Sequence, residues 1–201
     1  MSQQLILMQG FTHSGKSTLA RKMMHQEKRD SVVMVEDVSI NKFVREQFPH
    51  LETDRNIIAI AEAAAGNINS AIKIALVKGG LELGKSVLVD AAHLEASSRE
   101  QLHDLARSVN RDIMTVLVPV CVPEPILLAR LKKSDQFNIL NGREPYWVDY
   151  YLNVQKPRYQ PVEEDEADLV LSCPLVFPDG TQGHTIDIVA PVTGKTVKKA
   201  G

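Results

Sequence analysis

Residues Gly10-Phe11-Thr12-His13-Ser14-Gly15-Lys16-Ser17 spell G-x-x-x-x-G-K-[ST] and follow the apolar run Leu5-Ile6-Leu7-Met8. The chemistry in that spacing is phosphate binding. Gly10 and Gly15 let the backbone bend tightly and turn its N–H groups toward an anion. Lys16 supplies a compact cation for β- and γ-phosphates, and the Ser17 hydroxyl is a hard oxygen ligand suited to Mg²⁺. A helix opening at Lys16 points the positive end of its dipole at the same phosphates. With Thr12, His13, Ser14 and Thr18 completing the loop, these residues are expected to hold a nucleoside triphosphate.

Three acids follow apolar runs: Glu36 and Asp37 after Val32–Val35, and Asp90 after Val87–Val89. In a parallel sheet, ligands sit outside the carboxyl ends of the strands. Phosphoryl transfer to a hydroxyl needs one carboxylate to accept the proton, and often another to hold the metal shell. Asp37, read as opening a loop, can face the γ-phosphate and is a candidate to touch the acceptor. Asp90 is expected to join Ser17 at the metal and also to face the acceptor. A helix cap or a turn would equally use an Asp at either place. Positive charge over the phosphoryl group is expected from Arg130 and Arg143, which bracket a polar stretch, 134–144, of lid-like length. Lys132 and Lys133 also complement a helix dipole. On the acceptor side the available cations are Lys42, Arg45 and Arg55, with Arg99 across the cleft.

These groups can meet only if short strands alternate with helices. Gln4–Met8, Ser31–Val35, Ser86–Asp90, Ile113–Val120 and Asp168–Ser172 read as strands, the fourth almost wholly apolar as befits one covered on both faces. Apolar residues at helical spacing predict helices from Lys16 to about Gln26, over Asn41–Phe48, over Ser97–Val109, from Pro125 to about Lys133 and over Tyr146–Gln155. Residues 55–83 carry a long helical signal that Gly66 and Gly79-Gly80 are expected to interrupt. Pro178-Asp179-Gly180 reads as a hairpin turn with Thr185–Val189 returning. The pattern predicts an α/β protein: a P-loop NTPase three-layer fold with a central five-stranded parallel sheet and helices on both faces. A lid at about 130–145 and a C-terminal β-hairpin complete it. One domain is expected over 1–201, with its core at 4–172 and the hairpin and tail at 173–201.

Composition narrows the partners. With 201 residues, 44% hydrophobic, 24% charged and a net charge of -2, the chain suits an ordinary globular domain and offers no global attraction to nucleic acid. Cys121 and Cys173 lie in or beside apolar runs without metal-ligand spacing and are expected as buried thiols. Met1-Ser2-Gln3-Gln4 leads straight into the first strand, and no apolar run is long enough for a bilayer. A cytoplasmic enzyme with no membrane partner is the expectation.

Gly10–Thr18, Asp37, Val89-Asp90-Ala91 and the arginine-flanked lid together resemble a group of small P-loop kinases, similar to the kinase domain of phage polynucleotide kinase and to the zeta-toxin family. Val87–Leu94 followed by Arg99, then Asn141-Gly142-Arg143, then Tyr159-Gln160-Pro161 ahead of Glu163–Glu166 extend the likeness across residues 4–172. The resemblance implies transfer of the ATP γ-phosphate to a hydroxyl, with ATP and Mg²⁺ as cofactors. It implies Asp37 as general base, Asp90 at the acceptor or metal shell, and Arg130 and Arg143 on the nucleotide phosphates. Polynucleotide kinases carry an arginine one helical turn beyond the acid, where this chain has Ile40. The implied acceptor is a nucleic-acid end, a nucleotide or a small metabolite. A gluconate- or nucleoside monophosphate-type kinase would build its acceptor pocket from residues 41–75. A slowly hydrolysing NTP switch is the reading from another class, and the chain lacks the guanine-selecting N-K-x-D string such switches use.

Overall fold

The computed structural model describes residues 2–26, 31–47, 55–171, 174–176 and 182–184. Five strands form a wholly parallel sheet: β1 (Gln4–Gln9), β2 (Val32–Glu36), β3 (Ser86–Asp90), β4 (Met114–Pro119) and β5 (Leu169–Val170), in the order β2-β3-β1-β4-β5. Alternation along each strand sorts its side chains to two faces. Leu5, Leu7, Val35, Val87, Val89 and Leu117 enter one apolar layer, beneath helices α2 (Asp37–Gln47), α3 (Arg55–Glu82) and α4 (Ala96–Val109). Ile6, Met8, Leu88, Val116 and Val118 enter the other, beneath α1 (Lys16–Gln26) through Leu19, Ala20, Met23 and Met24. The expected three-layer fold is therefore present. The short β5 is pinned by a reciprocal pair: Asp168 Oδ2 accepts from Thr115 N–H and Oγ1, and Asp168 N–H donates back to Thr115 Oγ1.

Three sequence expectations are corrected. The 55–83 region is a single 28-residue helix rather than a broken one. At Gly80 the missing side chain is what permits this, because a Cβ there would stand 2.8 Å from Val87 Cγ2. The helix needs that glycine to lie close on the sheet. Asp37 opens α2 directly after β2 instead of opening a loop. Most consequentially, the helix expected to end near Lys133 runs on as α5 (Glu124–Leu140), so much of the proposed lid loop is helical.

That extension has a cause. Buried Asp135 accepts hydrogen bonds from the N–H groups of Tyr146, Trp147 and Val148, at 2.7, 2.7 and 3.0 Å. It thereby caps α6 (Trp147–Tyr150), while Leu127 and Leu131 pack against Tyr151. A π-helical turn (Tyr151–Gln155) and α7 (Lys156–Arg158) follow. Asp135→Ala is expected to cost about 1–2 kcal/mol, read from urea unfolding at pH 7. Burial pushes the Asp135 carboxyl up, but the three backbone donors and nearby His13 outweigh it and hold it below its ordinary value. Its contribution is thus complete above the unfolded carboxyl value near about 4 and disappears as pH falls through the lower folded value. The gap between wild type and Asp135→Ala should close over that range.

Strands β6 (Pro174–Val176) and β7 (Gln182–His184) pair antiparallel. Phe48, Cys173, the turn at 178–180, the expected return strand 185–189 and the tail lie outside the described residues. Among the described residues, no helix is long and apolar enough to cross a membrane.

Candidate active site

The loop between β1 and α1 is held from every side. Gly10 N–H donates to Ala92 O at 3.0 Å and Val120 N–H donates to Gln9 O at 2.7 Å, which clamps the loop's base between the ends of β3 and β4. Gly10 itself has φ +153°, and a Cβ there would meet Val120 O at 2.6 Å and Ser14 Oγ at 2.8 Å, so only glycine fits. His13 and Gly15 also have positive φ, +59° and +99°, the curvature that turns successive N–H groups toward one centre. Thr12 N–H donates to Gln155 Oε1 at 3.0 Å, and the Arg130 guanidinium donates to His13 O at 3.3 Å. Phe11 packs on Tyr151 and Tyr159 with ring centroids 5.0 and 5.1 Å away, and His13 meets Trp147 edge to face at 5.2 Å. Ser14 is buried, its Oγ lacking a hydrogen-bond partner, whereas Thr18 is exposed on α1.

Charge is concentrated below this loop. Lys16 Nζ lies 3.4 Å from Phe11 O. Burial pushes its ammonium down, while Asp90 and Asp37 pull it back up. Asp90 is buried at the end of β3 with the Ser17 hydroxyl beside it, which favours its ionised form. Burial raises its carboxyl above the ordinary value against the opposing effects of Ser17 and Lys16, and Glu36 across the strand pair raises it further. Asp90 Oδ1 has no hydrogen-bond partner. A hydroxyl, an orphaned carboxylate oxygen and a phosphate site are the donors Mg²⁺ accepts, since it keeps most of its shell as water and phosphate oxygen. Among the described residues no group of three or more His, Cys, Asp or Glu could hold a metal by itself. The residues fit a metal that arrives with a nucleotide.

Beside the loop opens a cleft of about 180 Å³, lined by Asp37, Lys73, His93, Glu95, Tyr150 and Arg158 among others. Asp37 pairs with Lys73 of α3 at 3.0 Å. Arg158 grips Glu95 through two bonds, 2.8 and 3.1 Å. His93 is buried, with φ +43° and Nδ1 2.8 Å from Met8 O. Desolvation, the leading cause, with Lys73 beside it, pushes its pKa down to about 4, so the ring is neutral near pH 7.

The structure brings Lys16, Ser17, Asp37, Asp90 and Arg130 to one place; other expected contributors stand apart. Lys42 is solvent-facing and pairs with Glu46 at 3.8 Å. Arg143 is exposed just past α5, its N–H donating to Asn138 O. Ile40, where a polynucleotide kinase has arginine, is buried in the core. Arg99 is wholly buried, paired with Glu166 at 2.6 Å and donating to the carbonyls of His93, Leu94, Gln160 and Pro161. The side chains of Arg45 and Arg55 lie outside the description. Lys73, Glu95, Tyr150, Gln155 and Arg158 went unnoticed in the sequence. Only Lys73 left a signal there, as a lone cation within the apolar stretch Ile68–Leu76.

A five-stranded parallel sheet in this order, with the phosphate loop after β1, defines a P-loop kinase fold. Residues 5–136 match the profile of the family described as AAA domain, and the chain belongs to that family. No curated protein matches it. Among solved structures it is similar to the Mycobacterium tuberculosis APS kinase CysC in complex with AMPPNP and APS, at 16% identity and TM-score 0.55, over 85% of this chain and 88% of that one. A candidate kinase from Chloroflexus aurantiacus J-10-fl aligns over 74% of both chains at 15% identity and TM-score 0.52. A Sinorhizobium meliloti 1021 gluconokinase aligns at 14% identity and TM-score 0.47, covering 83% of this chain and 81% of that one.

Proposed function

We propose that this protein is an ATP-dependent kinase that moves the γ-phosphoryl group of ATP onto a hydroxyl of an acceptor bound beside Asp37. The observation that carries the reading is the placing of Lys16, the Ser17–Asp90 contact and the Asp37–Lys73 pair around one phosphate loop. In this reading the loop N–H groups and Lys16 bind the β- and γ-phosphates, and Lys16 offsets charge that develops as the bond to ADP breaks. Asp37 accepts the acceptor's hydroxyl proton while the acceptor oxygen bonds to the γ-phosphorus and ADP leaves. Lys73 holds the Asp37 carboxylate in position. Ser17 and Asp90 would hold Mg²⁺ with the nucleotide, and the ion would neutralise phosphate charge. Arg130, already on the His13 carbonyl, is the arginine placed to reach the phosphates; Arg143 would need the end of α5 to move. A cytoplasmic location is part of the same proposal.

A nucleic-acid end is disfavoured as acceptor. Lys42 faces solvent, Arg99 is locked in the interior and Ile40 fills the arginine's place with core. The test is ADP release with and without candidate acceptors. Asp37→Asn is expected to lower acceptor-dependent ADP release by about 10²–10⁴-fold with ATP affinity retained. Acceptor-dependent turnover surviving in Asp37→Asn would remove the base from the scheme. Steeply salt-sensitive phosphorylation of a 5′-hydroxyl oligonucleotide would restore the polynucleotide reading.

A further inference from the structure

We propose that the cleft beside Asp37 takes a compact, uncharged, polyhydroxylated acceptor of the sugar or polyol class, one of whose non-reacting hydroxyls donates a hydrogen bond to His93. The inference rests on the kinase reading above and specifies its acceptor.

Hydrogen-bond direction is the first ground. His93 Nδ1 lies 2.8 Å from Met8 O, and a carbonyl can only accept, so Nδ1 carries the proton. Nε2 of the neutral ring is then a lone pair without a partner, covered in the unliganded chain, and it meets an acceptor only when the thin wall between it and the cleft yields. An acceptor that meets it must bring a donor. A hydroxyl does so; a carboxylate or phosphate dianion does not.

The charges of the cleft point the same way. Each cation on its wall is already matched there, Lys73 by Asp37 and Arg158 by Glu95. An anionic group entering the cleft would draw on those cations only by facing Asp37 and Glu95 as like charges. A hydroxyl suffers no such conflict, because it donates to the carboxylates and accepts from Lys73 and Arg158. Size gives the third ground. At about 180 Å³ the cleft is sized for a small molecule. Tyr150 and Val154 add apolar wall, which suits the C–H face of a carbon ring or chain.

The test measures ADP release from the whole protein with ATP and Mg²⁺ over a panel: pentoses, hexoses and linear polyols, the matching sugar acids and sugar phosphates, nucleosides, and a 5′-hydroxyl oligonucleotide. An uncharged sugar or polyol is expected to give the highest kcat/KM, at least about tenfold above its carboxylated or phosphorylated counterpart. His93→Asn then probes the contact. Asparagine tolerates positive φ, and its amide N–H can still reach Met8 O, but it has nothing in the place of Nε2. Acceptor KM should rise roughly five- to tenfold, with kcat and the KM for ATP within about twofold of wild type. Preference for a charged counterpart, a nucleoside or the oligonucleotide would overturn the acceptor class and leave the kinase reading standing. An unchanged acceptor KM in folded His93→Asn would overturn the contact. ATP binding with no phosphorylation of any panel member would overturn both the acceptor class and the kinase reading.

Discussion

Lys16→Ala lowers acceptor-dependent ADP release by about two to three orders of magnitude or more, and the chain stays folded. The rate effect follows from removing the cation proposed to face the β- and γ-phosphates, where an oriented charge in a dry site acts most strongly on developing charge. The folding effect follows from burial. Lys16 is held where desolvation disfavours its charge, and Asp90 and Asp37 supply the compensation. Lys16 is half-buried, so truncation relieves part of its desolvation while removing a counter-charge from Asp90 and Asp37, and the change in stability should be small. Steady-state ADP release and a urea melt, run on the same preparation, check both halves. Wild-type turnover in a folded Lys16→Ala protein would remove the phosphate-loop chemistry from this chain.

Arg99→Met is expected to have the largest effect on stability, about 3–5 kcal/mol, the usual loss when one partner of a buried ion pair is removed. The guanidinium is fully buried. It bonds both Glu166 oxygens at 2.6 and 2.7 Å and satisfies the carbonyls of His93, Leu94, Gln160 and Pro161. Methionine fills much of the volume but satisfies none of these groups. Arg99→Lys should recover only part of the loss, since a point charge cannot reproduce the planar fork. Urea midpoints for wild type and the two variants decide the matter. Equal midpoints for Arg99→Met and wild type would show that water can take over every one of those bonds.

The fold was largely legible because its signals are local. Unbroken apolar runs at Leu5–Met8 and Val87–Val89, a glycine-rich turn and helical spacing in 97–109 each need only neighbouring residues to be read. The boundaries that failed depend on distant partners. Nothing between 134 and 140 announces a helix; Asp135 sustains it by capping α6, more than ten residues on. Gly80 reads as a helix breaker until Val87 is placed against it. The site divides in the same way. Lys16, Ser17, Asp37 and Asp90 lie in or beside motifs at strand ends, whereas Glu95 and Arg158 gain meaning only from each other across the cleft. Arg99 was visible as a cation, but its burial could not be read without Glu166.

The phosphate loop lies near the start of the chain, yet its supports come from far along it. Thr12 is bonded to Gln155, 143 residues away, and Gln9 to Gln160, 151 away. Such contacts form late, because the chain must close very long loops before they return any stability. During synthesis the loop and its partners Ala92, Val120 and Arg130 emerge before the segment holding Gln155 and Gln160, which adds the remaining bonds. A chain stopped at residue 136, the end of its family match, would contain every residue of the loop and lack that brace. Nucleotide affinity should therefore reach its full value only when the segment around 155–160 has emerged and docked, which makes full ATP binding a reporter of completed folding rather than of an early nucleus.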